Sequence, residues 1–262
     1  MLKQPLRKHS FNGIEIYEYN ELGIKHPSYM VLGLPDAGLV GALATKYMTL
    51  NLGMDFIGEV DSSRLFQPIT VIHRGIPFSP YQLYINKERN ILALVAEAPL
   101  PISAVYPMAK SIVEYASLVG IDYIISLSGI AVPNRLEIDK PKAYWIATTP
   151  EAQEIMKKTE LKQLNEGFVV GPYAVILKES KRRGLRNIAI LVESFLEFPD
   201  PEAAATALQA FSQITEIKID VSKLLEEAEL IKIQARELMK QTKKALARMQ
   251  KGYEMQMPLM YT

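Results

Sequence analysis

The glycine-rich segment from Gly33 to Gly41 has the composition of a turn that could hold an anion. Its sequence is GLPDAGLVG, and it lies between an apolar run, residues 29–33, and a helical stretch. Glycines permit a tight turn, and free backbone N–H groups at a helix N-terminus favour a phosphate or a carboxylate. The spacing differs from the G-x-G-x-x-G fingerprint, and Leu39 stands where a phosphate-binding loop needs lysine. We interpret Gly33, Gly38 and Gly41 as a structural turn for close packing, with anion binding as the alternative.

Two further pairs of side chains could do acid–base or nucleophilic chemistry. Ser126 and Ser128 end an apolar strand, where α/β folds place functional loops, but the G-x-S-x-G pattern of a nucleophilic serine is absent. Glu97 and Glu193 each follow an apolar strand, and a carboxylate pair at one sheet edge would suit general acid–base catalysis. Capping and loop hydrogen bonds explain both glutamates equally well, so we rank catalysis low.

The amino-acid composition excludes most other kinds of catalytic or metal-binding site. The 262 residues include no cysteine, which excludes disulfides, cysteine-ligated metals and a thiol nucleophile. Lysine plus arginine number 30 against 29 aspartate plus glutamate, and a net charge of +1 gives no reason to expect nucleic acid or an anionic membrane. Three isolated histidines have no second ligand four residues on and favour structural roles over a metal site: His9, His26 and His73. We predict a protein that is not an enzyme and has no metal or cofactor.

The remaining signals favour a cytoplasmic protein. The opening MLKQPLRKHSFNG lacks the apolar core of a signal peptide. The longest charge-free stretch has 13 residues, 203–215, which is too short to span a bilayer.

These candidate residues must be positioned by alternating strands and helices. The pattern from residue 29 to 215 predicts an α/β fold with a mixed, largely parallel sheet flanked by helices. The predicted strands are 29–33, 56–60, 69–73, 82–85, 91–96, 123–127, 143–148 and 187–192. The predicted helices are 37–52, 103–119, 150–158, 172–183 and 200–215, the last with Asp200 as its N-cap.

The chain changes character after residue 220. Residues 221–251 contain no glycine or proline and predict one long helix of roughly 46 Å, followed by a tail, residues 252–262. The helix either lies across its own domain, residues 1–220, or reaches past it to neighbouring subunits, the alternative we favour. Its basic residues concentrate late in the helix and would suit an acidic partner. A heptad seam of mostly small residues runs along it: Leu224, Ala228, Ile231, Ala235, Leu238, Thr242, Ala245 and Met249.

The last three residues, Met260, Tyr261 and Thr262, carry the sharpest signal. They resemble the C-terminal hydrophobic–tyrosine–any-residue motif by which proteasome activators and assembly factors dock between α-subunits of the 20S core. The carboxylate can pair with a lysine, and the tyrosine ring can fill a slot while its hydroxyl finds a partner. An end without a binding role is the alternative.

Longer segments resemble the proteasome-assembly-chaperone family. LGLPDAGLVGALA, residues 32–44, looks like its N-terminal signature, and Glu97-Ala-Pro with YIISLSG resembles its middle block. Residues 167–177, RGL at 183–185 and AILVESFLEFPDPEAAATAL at 189–208 resemble its C-terminal block, in which PDPEAA is the strongest element. Residues 219–220 and 224–229 match the start of its final helix.

The resemblance implies an α/β fold, binding to proteasome α-subunits and no established catalytic activity. We therefore expect an archaeal homologue that forms a homo-oligomer, with a ring as one arrangement, and binds α-subunits through its tails. Two other functions stay open. One is a nucleotide- or phosphometabolite-binding enzyme that uses the Gly33–Gly41 turn, and the other is a homo-oligomeric adaptor that recruits an acidic partner through the basic helix.

Overall fold

Within the described part of the chain, ten strands form one mixed sheet and two further strands form a hairpin. This computed structural model describes residues 4–254, with side chains described to residue 248 except residue 246. The strands are β1 (Arg7–Phe11), β2 (Ile14–Glu18), β3 (Tyr29–Gly33), β4 (Asp55–Asp61), β5 (Val71–His73), β6 (Ile76–Phe78), β7 (Tyr81–Asn86), β8 (Ile91–Ala96), β9 (Tyr123–Ala131), β10 (Ala143–Ala147), β11 (Lys162–Gln163) and β12 (Arg186–Ser194). The helices are α1 (Val40–Asn51), α2 (Ile102–Leu118), α3 (Pro150–Met156), α4 (Pro172–Arg182), α5 (Pro201–Thr215), α6 (Ser222–Glu226), α7 (Ala228–Gln234) and α8 (Arg236–Glu254).

The sheet confirms the predicted α/β class and its mixed character. Its order is β1-β2-β4-β7-β8-β3-β9-β12-β10-β11, while β5 and β6 pair separately. The four central strands, β8, β3, β9 and β12, run parallel and are almost completely buried. Their continuous apolar runs suit strands that are covered on both faces. Antiparallel pairs extend this centre on both sides.

Helices cover both faces and leave a crevice at one edge. α1 and α5 pack in one core, and α2 and α4 pack in the other. β3 lies between β8 and β9, and the chain leaves β3 through α1 on one face but reaches β9 from α2 on the other. This is a topological switch point, where loops after neighbouring parallel strands diverge and ligands of open α/β sheets bind.

The N-terminal hairpin β1–β2 was not predicted. In β2, Ile14, Ile16 and Glu18 are buried in alternation with half-buried residues, and β2 pairs with β4 at the sheet edge. The buried Glu18 accepts a hydrogen bond of 2.7 Å from the hydroxyl of Tyr115 in α2. A glutamate at a core position obscures the alternation in the sequence because charge normally marks the exposed face.

The C-terminal region forms three consecutive helices where one was expected. The breaks at Glu227 and Ala235 are local, because Ile231 N–H still bonds to Glu227 C=O at 3.0 Å and Met239 N–H to Ala235 C=O at 2.9 Å. α8 continues to Glu254, three residues beyond the predicted end.

The seam of these helices packs on the chain's own domain, the less favoured of the two arrangements that the sequence predicts. Leu224 joins the core that contains α1 and α5, while Ala235 and Met239 pack against Leu39 and Ala42. Thr242 is buried as well. Within residues 4–254, no helix has both the length and the apolar composition needed to cross a membrane.

Candidate functional site

The glycines of the Gly33–Gly41 turn allow α1 to approach the sheet. A Cβ atom at Gly33 would overlap the side chain of Thr45, and one at Gly41 would overlap the carbonyl oxygen of Leu127 in β9. Gly38 has φ 64°, a left-handed conformation that favours glycine, and a Cβ there would lie 2.9 Å from the Cβ of Ser194. At each of these three positions a Cβ atom would collide with a neighbouring element, which agrees with a structural turn.

Asp36 is the charged residue of this turn, and it lies against the end of β9. Its Oδ2 accepts hydrogen bonds from the hydroxyl of Ser128 at 2.5 Å and from the N–H of Gly129 at 3.0 Å. The side chain is buried, and its other oxygen, Oδ1, has no hydrogen-bond partner among the described residues. Burial raises the pKa of Asp36 to about 7, although the hydrogen bonds from Ser128 and Gly129 and the nearby backbone N–H groups of Gly41 and of Asp36 itself act in the opposite direction.

Tyr173, at the start of α4, fixes the end of β3 from the other face of the sheet. Its buried hydroxyl accepts a hydrogen bond from the N–H of Leu34 at 2.8 Å and lies 3.1 Å from the carbonyl oxygen of Leu32. The chain between β3 and α1 is therefore held by α4 at Leu34 and by β9 at Asp36.

A cavity of about 340 Å³ lies beside Asp36 at the carboxyl ends of β3 and β9. It is lined mainly by apolar side chains from six places: the loops after β3 and β8, the end of β9, residues 164–173, the end of β12 with the segment after it, and helix α8. Asp36 is the one charged side chain among the described residues that line it. Among the polar residues that line the cavity, Ser128 and Tyr173 lie near Asp36. Thr242 lines the cavity from α8.

A buried ion pair, Arg135 with Asp200, is connected to the glycine turn. Arg135 donates to both oxygens of Asp200, at 2.7 and 3.0 Å, and both side chains are almost fully buried. Asp200 also accepts from Ala203 N–H at 3.0 Å, which confirms the predicted N-cap of α5. Its own N–H bonds to the carbonyl oxygen of Gly38 at 2.8 Å. The PDPEAA segment thereby joins α5 to the glycine turn, a role that the sequence pattern did not reveal.

The other candidate residues are placed apart. Ser126 is buried and bonds to Asn187 at 3.2 Å. Glu97 follows β8 and Glu193 lies in β12, so two strands separate them, a distance of about 14 Å at the usual strand spacing. Glu97 accepts from His73 at 2.8 Å, and Glu193 accepts from the N–H of Lys142 at 2.9 Å. The structure therefore does not bring the two glutamates together as an acid–base pair.

Each histidine pairs with a carboxylate. His9 lies 3.1 Å from Glu18, and His26 lies 2.6 Å from Asp122. In the part of the chain that the structure describes, no three histidine or carboxylate side chains form a group that could hold a metal ion.

The predicted C-terminal features are described only in part. Arg236, Lys240, Lys244 and Arg248 recur every four residues along α8 and are exposed. Met260, Tyr261 and Thr262 lie outside the described residues.

Comparisons with known proteins identify relatives over most of the chain. The model of the PAC2 family matches residues 30–239. The crystal structure of Pyrococcus furiosus PbaA, described as an archaeal homolog of proteasome-assembly chaperone, is 30% identical with a TM-score of 0.80 and covers 88% of this chain and 99% of its own. Pyrococcus furiosus PbaB, described as an archaeal proteasome activator, is 22% identical with a TM-score of 0.71, at 87% and 99% coverage. The uncharacterized protein MJ0106 of Methanocaldococcus jannaschii is 28% identical over 86% of this chain and 91% of its own.

Proposed function

This chain belongs to the PAC2 family, and from that premise we propose that it is a non-catalytic assembly chaperone or scaffold that binds proteasome α-subunits. The observation that carries the proposal is the 30% identity to PbaA across almost the whole of that protein, with closely similar structures. A shared fold alone would not specify a partner, because one fold supports many functions. The segments 32–44 and 199–204, which resemble motifs of the proteasome-assembly-chaperone family, add support because they are local sequence features and not properties of the fold alone. The proposal places the protein in the cytoplasm.

Several hydrogen bonds support a structural role for the polar residues near the switch point. Ser126, Glu97 and Glu193 each bond to neighbouring strands or loops, and Asp200 is committed to Arg135 and α5. General acid–base catalysis requires a side chain that can exchange a proton with the substrate. These side chains instead connect secondary-structure elements.

The proposed contact is the tail formed by Met260, Tyr261 and Thr262. In a protein that ends at Thr262, the terminal carboxylate would pair with a lysine of an α-subunit while the Tyr261 ring fills an adjacent slot. One such tail binds weakly, but several tails on one oligomer raise avidity by roughly 10²–10⁴ when their spacing matches the pockets. The packing of Met239 and Thr242 on the domain supports this mechanism, because it fixes the helix from which the tail continues.

We also propose that the protein forms a homo-oligomer, in which a ring would present several tails together. Exposed apolar side chains support this: Leu230 and Ile233 of α7 are each 60% exposed, and Phe168 is 99% exposed. Association with further copies would cover such surface. The mass of the free protein, measured by light scattering, tests this point directly, and a monomer would contradict it.

The experiment compares three proteins for binding to purified α-subunits of the same organism: the intact chain, a variant lacking residues 260–262, and one with a glycine added after Thr262. The added glycine displaces the carboxylate but keeps every native residue, so it is the matched control for the deletion. We expect binding by the intact chain and a loss of at least about tenfold in affinity in both variants. Equal binding by all three would refute the tail mechanism, and no binding by the intact chain would refute the chaperone proposal.

A second candidate function is an adaptor for a different acidic partner. The exposed row Arg236, Lys240, Lys244 and Arg248 supports it, because evenly spaced cations on one helix suit an acidic surface. Such binding weakens as salt rises. An interaction that persists unchanged at high salt would exclude this function.

The nucleotide-binding alternative is less favoured. The carboxylate of Asp36 already accepts the N–H of Gly129 at the turn, and no lysine, arginine or histidine among the described residues lines the adjacent cavity. A phosphate placed there would face a carboxylate without a compensating cation. A thermal shift with nucleotides or phosphorylated metabolites would revive this alternative.

A further inference from the structure

The cavity beside Asp36 has the position and the size of a small-molecule site. It opens at the carboxyl ends of β3 and β9, the switch point at which α1 and α2 lie on opposite faces of the sheet. Its volume of about 340 Å³ lies within the range of ligand sites. The proposed binding of α-subunits through the tail does not use it.

One acidic group in this cavity lacks a partner. Ser128 and Gly129 satisfy Oδ2 of Asp36, whereas Oδ1 is buried with no hydrogen-bond partner among the described residues. A buried carboxylate oxygen without a donor is costly, and the usual compensation is a cation or a hydrogen-bond donor. Burial also raises the pKa of this carboxyl to about 7, which agrees with the missing countercharge.

The rest of the lining selects the class of ligand. Leu34, Leu100, Ile130, Val170 and Leu191 supply apolar surface, and the described lining residues contain no cationic side chain. Phosphates, sulfates and carboxylates would therefore meet an acidic, apolar site. A primary amine on a compact apolar body matches both features, because its ammonium can pair with the carboxylate of Asp36 while the body contacts the apolar walls.

We propose that this cavity binds a small apolar amine, with Asp36 as the residue that pairs with its ammonium group. Thr242 and Ala245 of α8 also line this cavity. A bound amine therefore contacts both the end of β9 and the C-terminal helix, so its binding also strengthens the packing of α8 on the domain.

The test uses two probes of nearly identical shape, 2-phenylethylamine and 2-phenylethanol, with the intact protein in phosphate buffer at pH 8. Isothermal titration calorimetry gives the affinity of each probe. We expect the amine to bind at least about tenfold more tightly than the alcohol, as a charge-assisted hydrogen bond in a buried site implies.

Two aspartate-to-asparagine substitutions test whether Asp36 causes the preference for the amine over the alcohol. Asp36→Asn keeps the shape of the side chain and its acceptor for Ser128, and should reduce the amine-to-alcohol ratio to about one. Asp139→Asn makes the same change at an exposed position and should keep the wild-type ratio. Ala245→Phe narrows the cavity from α8, and should weaken both probes if they occupy it.

Several results would overturn the proposal. They are the failure of 2-phenylethylamine to bind the wild-type protein, equal affinities for both probes, and a ratio that Asp36→Asn leaves unchanged. Unchanged binding in Ala245→Phe would place the probes elsewhere and would refute the assigned cavity. None of these results bears on α-subunit binding, which is measured separately with the tail variants.

Discussion

Replacing Asp36 with asparagine should make the protein progressively more stable than the wild type as the pH rises from 5 to 8. The folded chain holds this carboxyl at a pKa of about 7, against 3.8 for an ordinary aspartate. Between these values the folded protein keeps a proton that the unfolded chain has lost. The free energy of unfolding of the wild type therefore falls with rising pH over this window, and the contribution levels off above pH 7.

The size of the effect follows from the two pKa values. A difference of about three pKa units is worth roughly 4 kcal/mol, and about 2.5 kcal/mol of that develops between pH 5 and pH 8. Asparagine keeps the acceptor for Ser128 and Gly129 but does not ionise. The difference in unfolding free energy between variant and wild type should therefore grow by about 2.5 kcal/mol over this range.

Urea denaturation in phosphate buffers, followed by circular dichroism, measures this difference at each pH. The buffer must contain no amine, since the cavity is proposed to bind one. Asp139→Asn is the control, because its exposed carboxyl should give a pH profile parallel to that of the wild type. Parallel profiles for Asp36→Asn and wild type would show that Asp36 titrates normally, and would refute the reasoning from its burial.

Three further changes test the packing around the turn. Arg135→Met leaves Asp200 buried without its cation and should lower the free energy of unfolding by about 3–5 kcal/mol, measured by urea denaturation. Gly41→Ala places a Cβ against the carbonyl oxygen of Leu127 and should cost about 1–3 kcal/mol in the same assay. Met239→Ala removes a buried contact between α8 and α1, and amide exchange in α7 and α8 should accelerate about thirtyfold, equivalent to about 2 kcal/mol.

Exposed positions provide the matched controls. Lys157→Met breaks an exposed pair with Glu154 and should change stability by less than about 1 kcal/mol. Gly53→Asn lies in open space at φ 55°, which asparagine tolerates, and Lys240→Ala lies on the exposed face of α8. If a control variant lowers stability or accelerates amide exchange as much as the matching test variant, the effect does not come from the buried contact that the test variant removes.

The central strands and the main helices were predictable because their signals are local. β3 and β8 were predicted at their observed bounds, since each is an apolar run closed by a turn signal. The N-cap Asp200 followed by Pro201 placed the start of α5 correctly. The hairpin β1–β2 was missed because its strands carry charged residues and depend on pairing with β4 and on packing against α2.

The candidate site could be located from the sequence, but its chemistry could not. The Gly33–Gly41 turn was recognised, whereas the properties of Asp36 come from Ser128 and Gly129, more than ninety positions along the chain. Likewise, the partner of Asp200 is Arg135, 65 positions earlier, with no pattern in between that connects the two. The heptad seam of the C-terminal region was recognised, but the favoured partner was a neighbouring subunit, and only the folded chain shows that the seam packs on its own domain.

The central claim is that this protein binds proteasome α-subunits, and native mass spectrometry of the intact chain mixed with those subunits tests it most directly. The account predicts a complex that contains both proteins and several copies of this chain. A spectrum with only the separate components, at concentrations where the α-subunits are folded, would contradict the account.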